Sequence, residues 1–351
     1  MSAALSPLLL AGLLAAADTG GSVTLLVGSR TAPEAALEIG EDEFGEVEPA
    51  AMGVLLVDGS ASFESGLWMA GAAELWTYVP EAEATVFRLS PGVGWGSGVG
   101  SKGYFDVAGR YDLVIVPGIS EASSGRGELL VGGSRQLGVS HTLLLSVQGI
   151  DRRYPNAVEL GFTSGEFKLG ISGQTELGRL RYGVSGGAQS NLGYVMEDTE
   201  LEGVFGWQVR ARFEAGVSAG AWDLDLGYAL YLATAGDDDD IARAQFTLIG
   251  AYADDADAVS SGGFSQHRTN VSVAWTSDPW VLTATALGRV RVNSSEAVGD
   301  GVSQTIHAQV GARRPVRGME GQIATGVSAV SFTSGLGYTD VYGWVGLKRP
   351  F

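Results

Sequence analysis

Strict alternation of apolar and polar residues over long segments constrains this chain more than any other feature of its sequence. It is clearest in residues 202–217 and 220–233. In the first segment Phe205, Trp207, Val209, Ala211, Phe213, Ala215 and Val217 alternate with Gly206, Gln208, Arg210, Arg212, Glu214 and Gly216. Because successive side chains of a β-strand point to opposite faces, this period predicts strands with one apolar face. Both segments are longer than the ~5–6 residues of an ordinary strand.

The same alternation continues through most of the chain and predicts a succession of strands joined by turn-rich segments. We place eighteen, near residues 22–30, 50–59, 64–77, 84–97, 103–116, 125–137, 139–150, 157–163, 165–176, 178–190, 202–217, 220–233, 242–253, 266–277, 280–292, 302–313, 318–332 and 338–351. Neighbouring segments can merge into one strand, and barrels of this kind have an even number of strands, so the prediction is sixteen or eighteen strands.

Long strands without intervening helical patterns favour a closed barrel, because closure removes the unpaired edges of a sheet. Tilted strands of about ten residues can cross a bilayer, and the chain has no apolar run of the ~18 residues typical of a membrane helix. The mean hydropathy of +0.14 fits apolar side chains dispersed at every second position. We therefore predict an all-β fold, a transmembrane antiparallel up-and-down β-barrel of 16–18 strands.

Charge and cysteine content argue against several kinds of partner and site. The net charge of −18, from 40 acidic and 22 basic residues, argues against a nucleic-acid partner. The absence of cysteine excludes disulfides and thiolate metal sites. Acidic segments at 41–48, 237–240 and 254–257 offer oxygen ligands for Ca²⁺ or Mg²⁺, but none has EF-hand spacing, and a solvated surface is the reading we favour. We predict no metal and no cofactor.

Residues 1–17, MSAALSPLLLAGLLAAA, have the apolar core and small-residue end of a secretory signal peptide, although they contain no Lys or Arg. Cleavage before Asp18 would leave residues 18–351 as a single barrel domain. The alternative is a buried N-terminal helix.

The last segment, YTDVYGWVGLKRPF, is a predicted strand that ends on an aromatic residue. It resembles the assembly signal of bacterial outer-membrane β-barrels, whose last strand pairs with the first, and Val345, Leu347 and Phe351 take the positions of that signal. Arg349 and Pro350 depart from the pattern.

This resemblance is one of architecture and covers about residues 21–351. It implies export to the periplasm and insertion into the outer membrane of a Gram-negative bacterium by the barrel-assembly machinery. The partners that it implies are the lipid and lipopolysaccharide of that membrane, with a homo-oligomer as a further possibility.

The turns predict a direction for the chain. If the last strand runs towards the periplasm, the longer segments 254–265 and 293–301 lie outside, as such barrels prefer, but the acidic segment 234–241 falls in the periplasm. Trp275 and Trp280 flank a tight turn on the apolar face, so we assign them to an interfacial aromatic girdle.

Charged residues on the polar faces predict a water-filled lumen, because a dry interior could not solvate so many ions. The alternation assigns these residues to the pore lining: Lys168, Arg179, Arg181, Arg210, Arg212, Glu214, Asp223, Asp225, Arg243, Arg289, Arg291 and Arg313. The alternative is that they form cross-strand ion pairs that brace the wall.

A barrel of sixteen or more strands has a bore wider than side chains can fill. We therefore predict a porin-like channel for passive diffusion of small hydrophilic solutes or ions. The alternative function is a structural or secretion-associated barrel whose lumen is filled by ion pairs. The nearest candidate for a constricting loop is 31–49, since no predicted connection approaches ~30 residues.

We predict no enzymatic activity and no catalytic residue. The only histidines are His141, His267 and His307. Ser140 precedes His141, and on a strand these neighbours point to opposite faces and cannot form a dyad. His307 faces the predicted lumen with no nucleophile placed near it by the alternation.

Overall fold

The computed structural model describes residues 18–31, 50–79, 85–100, 102–118, 120, 123–156, 161–175, 179–197, 200–233, 264–293, 302–332 and 337–351. They form one closed antiparallel sheet. Its strands are β1 (Asp18–Arg30), β2 (Ala50–Ser62), β3 (Leu67–Val79), β4 (Val86–Val99), β5 (Gly103–Ile115), β6 (Ser124–Leu137), β7 (His141–Arg153), β8 (Phe162–Gln174), β9 (Leu180–Glu197), β10 (Glu200–Ala219), β11 (Trp222–Ala233), β12 (Phe264–Ser277), β13 (Trp280–Asn293), β14 (Val302–Val316), β15 (Met319–Phe332) and β16 (Gly337–Pro350). Within the described ranges, no helix is long and apolar enough to span a membrane.

Each strand pairs with the next along the chain, and β1 pairs with β16, so the predicted up-and-down barrel is confirmed with sixteen strands. The segments predicted at 157–163 and 165–176 meet in a single strand, β8. Ser164 and Gly165, where the prediction placed a break, continue the ladder opposite Asn191 and Ser190. The predicted strand at 242–253 lies outside the described residues, and β11 pairs directly with β12.

The connections divide into two sets at the two ends of the barrel. At one end, the connections between strands are two to five residues long, and most of those at the other end are longer. Short turns face the periplasm in outer-membrane barrels, so we assign the long connections to the outside.

This order corrects two sequence-based expectations. The acidic segment 234–241 belongs to the β11–β12 connection, which starts at the long-connection end rather than in the periplasm, because no wall strand separates β11 from β12. That connection, 234–263, also has the length of about 30 residues that the sequence was thought to lack.

Glycines in the left-handed region make the short turns possible. Gly220, with a φ of 62°, links β10 to β11, and Gly318, with a φ of 80°, links β14 to β15. A residue with a Cβ adopts these φ values at an energetic cost, whereas glycine adopts them without that cost. These turns keep successive strands in tight hairpins.

The pairing of β1 with β16 closes the sheet. Val27 lies opposite Val345, and Ser22 lies opposite Pro350. The backbone N–H of Phe351 donates to the carbonyl of Gly21 over 3.0 Å, and the N–H of Gly21 donates back over 3.2 Å. A Cβ on Gly21 would stand 2.5 Å from the backbone oxygen of Asp58 and 2.6 Å from the ring of Phe351, so a larger residue here would displace the neighbouring strand.

The register sorts side chains into an inner and an outer face. Side chains from strands two apart in the sheet touch on the concave side, as Arg30 of β1 does with Tyr78 of β3 and Arg210 of β10 with Glu166 of β8. The opposite set carries the exposed large apolar side chains, for example Leu25, which is 53% exposed. An apolar belt around a closed barrel is the surface that a bilayer requires.

A buried ion pair links the first and last strands on the inner face. Arg30 of β1 donates from Nε and one terminal nitrogen to Oδ2 of Asp340 on β16, over 2.9 and 2.7 Å. The two side chains are 3% and 0% exposed. The Arg30 guanidinium also lies over the ring of Tyr342 at 5.7 Å and donates to the hydroxyl of Tyr78 at 3.5 Å.

Replacing Arg30 with Gln is expected to destabilise the barrel, because it leaves the Asp340 carboxylate buried without its cation. Breaking a buried pair in this way costs about 3–5 kcal/mol. The matched control is Arg153→Gln on the outer face, where Arg153 and Asp151 form a pair at 2.7 Å that is about half exposed, and such pairs contribute about 0–1 kcal/mol. Urea unfolding of the refolded proteins measures both, and equal losses would contradict the role given to the seam.

The double variant Val345→Asp and Leu347→Asp is expected to impair membrane insertion, because both residues are exposed on the outer face of the closing strand. A charge on the lipid face costs up to about 2–4 kcal/mol for a base and less for an acid. Lys348→Asp, on the inner face of the same strand, is the control. The yield of heat-modifiable protein in the membrane is the measurement, and unchanged yield in the double variant would show that this face does not meet lipid.

Candidate functional site

The inner wall of the barrel gathers most of the charges that the sequence assigned to a pore. On its inner face the register places these predicted residues: Lys168, Arg181, Arg210, Arg212, Glu214, Asp223, Asp225, Arg289, Arg291 and Arg313. Whether they conduct solutes stays a prediction at this point. Their common orientation gives the barrel a polar interior.

Two predicted pore-lining residues are not on the described wall. Arg179 is exposed in the short connection before β9 rather than within a strand. The reason is local: the N–H of Thr175 donates to the carbonyl of Leu180, and the N–H of Leu180 donates to the Thr175 hydroxyl, so the chain turns there. Arg243 lies outside the described residues.

The residues assigned to the girdle and to the assembly signal lie on the outer face. Trp275 is opposite Trp222 of β11, with ring centroids 6.3 Å apart, and Trp280 begins β13 just after the turn. Val345, Leu347 and Phe351 are exposed, at 55%, 46% and 72%. Their proposed roles in the interface and in assembly stay predictions.

The sequence analysis missed several inner-face charges: Arg30, Asp58, Arg126, Arg152, Arg268 and Glu320. The alternation could have found some of them. Arg126 has the same parity as Glu128, and Arg268 has the same parity as Gln266 and Asn270. Arg30 falls at the end of its strand, where the neighbouring alternation gives little guidance.

Near the short-connection end, the inner charges are paired yet open to solvent. Arg181 of β9 contacts Asp225 of β11 at 2.8 Å and Asp223 at 3.5 Å, and it donates to the Ser218 hydroxyl at 2.8 Å. All three charged side chains are between 42% and 52% exposed. Ion pairs this exposed are screened by water and salt, so this end is a wet, roughly neutral vestibule.

Towards the long-connection end, the charged side chains become buried. Asp112 lies between Arg88, at 3.3 Å, and Arg110, at 3.2 Å, and is 8% exposed. Glu166 lies between Arg210, at 3.3 Å, and Lys168, at 3.8 Å. In contrast, Arg212, one inner-face position nearer the short turns than Arg210, is 56% exposed. Side chains therefore pack more closely around Asp112 and Glu166 than around Arg181.

Bases form a continuous surface across β10 to β13. Arg212, Ala229, Arg268 and Arg289 follow one another in a single row of the ladder. The next row contains Arg210, Tyr231, Gln266 and Arg291.

The described inner positions of β12, β13 and β14 carry Arg268, Arg289, Arg291 and Arg313 but no carboxylate. Arg268 and Arg289 face each other directly, a like-charge arrangement that costs stability in a sheet.

Aromatic rings hold two of these guanidinium groups against the wall. The Arg291 guanidinium lies 4.0 Å from the centroid of the Phe264 ring, and that of Arg210 lies 5.4 Å from the Tyr231 ring. Stacking on a ring fixes the orientation of each guanidinium plane on the inner wall.

Three polar side chains of this region bury atoms that find no hydrogen-bond partner within the structure. They are the amide oxygen and nitrogen of Gln208, the amide oxygen of Gln266 and the hydroxyl of Ser164. An unsatisfied buried polar group costs about 1–3 kcal/mol, so each is expected to bind water or a polar solute in the bore. Gln208, Gln266 and Ser164 are at most 5% exposed, so neighbouring side chains cover this part of the inner wall on β8, β10 and β12.

The histidines are distributed over both faces. His267 contacts the Tyr228 hydroxyl at 2.8 Å on the outer face, and His307 contacts the Ser328 hydroxyl at 2.7 Å on the inner face. Among the described residues, no cluster of three or more His, Asp or Glu side chains is placed to hold a metal ion.

The expectation that Ser140 and His141 point apart was wrong. The Ser140 hydroxyl lies 3.0 Å from Nδ1 of His141, because Ser140 belongs to the turn and β7 begins only at His141. Nε2 of His141 contacts the Tyr182 hydroxyl, and in the described part of the chain no carboxylate is bonded to this ring. The pair lacks the acidic partner that orients the histidine of a hydrolase triad.

Comparison with known proteins finds similarity in structure only. No family model matches the chain, and no curated protein matches it in sequence. The outer membrane channel DcaP of Acinetobacter baumannii matches over 95% of this chain and 97% of its own, with 10% identity and a TM-score of 0.53. OccAB1 of Acinetobacter baumannii matches over 95% of this chain and 96% of its own, with 8% identity and a TM-score of 0.51. The chain thus has the fold of bacterial outer-membrane β-barrel proteins.

Proposed function

We propose that this protein is an outer-membrane channel for passive diffusion of small hydrophilic solutes or ions. The observation that carries the proposal is the polar inner wall of a closed sixteen-strand barrel, on which Arg181, Asp223 and Asp225 are open to solvent. A barrel of this size is wider than its side chains can fill. DcaP, which shares the fold, is described as an outer membrane channel.

The proposal includes a route to the membrane. Residues 1–17 act as a signal for export, and the barrel-assembly machinery inserts the chain through the outer face of β16, including Val345, Leu347 and Phe351. Trp275 and Trp280 lie at the interface with the periplasmic leaflet. Lipid and lipopolysaccharide surround the barrel, and assembly into a homo-oligomer is compatible with this arrangement.

We further propose a preference for anions. The surface formed by Arg210, Arg212, Arg268, Arg289 and Arg291 lies on the inner wall, and basic side chains that line a pore attract anions into it. Carboxylates of the long connections stand in water, where charges are screened beyond ~8 Å, whereas charges in a narrow lumen are screened less. The bases of the lumen therefore have a larger effect on ion preference than the acidic loops, although the net charge of the chain is −18.

The rival function is a structural or secretion-associated barrel whose lumen is closed by ion pairs. The contacts Arg210–Glu166, Arg212–Glu214 and Arg313–Glu320, at 3.3, 2.7 and 3.9 Å, favour it. Single-channel recording in a planar bilayer separates the two. Stepwise conductance is expected of the open channel, and purified, heat-modifiable protein that inserts without conducting would establish the rival.

Replacing Arg210 and Arg212 with Gln is expected to shift the reversal potential in a salt gradient towards cation selectivity, because it removes two positive charges from the inner wall. Arg268→Gln with Arg289→Gln removes two further bases of the same row and is expected to shift it in the same direction. Arg181→Gln in the exposed vestibule is the control, with a smaller shift. A cation-selective wild type, or no shift in either double variant, would contradict the anion preference.

A further inference from the structure

Charged side chains are rare on the outer face. In the part of the strands whose side chains are described, the outward positions carry a charge at Arg135, Asp151, Arg153, Arg314 and Arg349. Asp151 and Arg153 neutralise each other near the long connections. The other three lie near the short connections, so the periplasmic rim of the lipid-facing surface is basic.

Two of these bases lie two strands apart near the seam of the barrel. Arg314 lies near the end of β14 and Arg349 near the end of β16, with β15 between them. Arg317 is exposed in the turn that joins β14 to β15. Gly321 of β15 stands in the ladder between Arg314 and Leu347, and the Val316 side chain lies over it. We call Arg314, Arg317 and Arg349 the basic rim.

The basic rim is not neutralised by neighbouring carboxylates. In the described part of the chain, none of its three arginines forms an ion pair, and Glu320 on β15 is turned inwards towards Arg313 at 3.9 Å. Asp278 lies in the β12–β13 turn at the same end. The Arg314 guanidinium lies over the ring of Trp280 at 4.9 Å, an arrangement that holds a cation at the level of the membrane interface.

An apolar depression adjoins the basic rim on its membrane side. It has a volume of about 1200 Å³ and is lined on the outer face by Val27, Leu282, Val310, Ala312, Ile323 and Val345. Leu282 and Ala312 are the next outward residues along their strands after Trp280 and Arg314. The volume is comparable with the largest small-molecule sites, of ~1000 Å³. The basic rim and the apolar depression therefore adjoin each other, in the same order as the headgroup and the acyl chains of a lipid in the bilayer.

We propose that this surface binds a glycerophospholipid with an anionic headgroup from the periplasmic leaflet. The phosphate accepts hydrogen bonds from the guanidinium groups of the basic rim, and the acyl chains lie in the depression. Arginine suits this task because its planar donors match phosphate geometry. Each base near an anionic membrane surface contributes about 1 kcal/mol, or about fivefold in affinity. The proposal requires that the barrel sits in a bilayer, not that it conducts.

The test uses quenching of tryptophan fluorescence by brominated lipids in the reconstituted full-length protein. Phosphatidylcholine vesicles contain either brominated phosphatidylglycerol or brominated phosphatidylcholine in equal amounts, at the same ionic strength. Wild-type protein is expected to show stronger quenching by the brominated phosphatidylglycerol, because that lipid is enriched next to Trp280, Trp275 and Trp222. Equal quenching by the two lipids would overturn the proposal.

Variants separate a built site from a general attraction. Arg314→Gln, Arg317→Gln and Arg349→Gln together are expected to lower the preference for phosphatidylglycerol by about fivefold or more. Arg135→Gln removes an outward base of the same rim on β6, away from the depression, and is expected to change the preference much less than the triple variant does. If Arg135→Gln has the same effect as the triple variant, the binding is a property of the whole rim and the site is refuted.

Two further arms identify the ligand. Ala312→Trp fills the depression and keeps the basic rim, so it is expected to reduce the preference if acyl chains occupy that space, and an unchanged preference would refute that part of the proposal. Inorganic phosphate at matched ionic strength is expected not to compete, and complete competition would show a site for free phosphate instead. Heat-modifiability confirms that each variant is folded.

Discussion

Backbone hydrogen bonding in a medium without water is the constraint on which the rest of this structure depends. A sheet inside a bilayer cannot leave an edge unpaired, because each unsatisfied N–H or C=O costs several kcal/mol. The chain satisfies this constraint by pairing β1 with β16. The seam is then strengthened on its inner side by Arg30 and Asp340, the most deeply buried ion pair among the described residues. Closure fixes the register, and the register decides which side chains meet lipid and which meet the bore.

Once the barrel is closed, its two faces have opposite physical tasks. The outer face presents exposed Val, Leu, Phe and Trp side chains to the acyl chains. The inner face collects bases and acids that would be costly in a dry interior. Some of them neutralise one another, as Arg181 does with Asp223 and Asp225, but the bases of β12 and β13 share no carboxylate on their own strands. Arg268 and Arg289 lie opposite each other in the ladder, an arrangement of like charges that reduces stability unless other groups offset it.

Local periodicity explains what could be predicted from the sequence. Alternation placed Arg210, Arg212 and Glu214 on one face, and the structure agrees, because a strand leaves no other choice for residues two apart. Beyond the end of a strand, residues two apart no longer have to share a face. Arg179 belongs to a turn, Ser140 contacts His141 from a turn, and Arg30 was overlooked at the last position of β1.

Other features depend on contacts that a single strand cannot reveal. The burial of Glu166 and the exposure of Arg212 follow from the shape of the bore. The apolar depression beside Arg314 arises from residues of seven strands, brought together only when β1 pairs with β16. The misplaced acidic segment 234–241 had a similar cause, since one strand too many in the wall reverses the side of every connection before it.

Single cysteines on β10 test the central claim, an aqueous bore bounded by alternating faces, most directly. The chain contains no cysteine, so each variant carries one thiol. Positions 211 to 214 are replaced one at a time in membrane-inserted protein and treated with a charged, membrane-impermeant thiol reagent. Arg212→Cys and Glu214→Cys are expected to react rapidly and to change the conductance on reaction, while Ala211→Cys and Phe213→Cys remain protected by lipid. Equal reactivity at all four positions, or protection of Arg212→Cys and Glu214→Cys, would contradict the account.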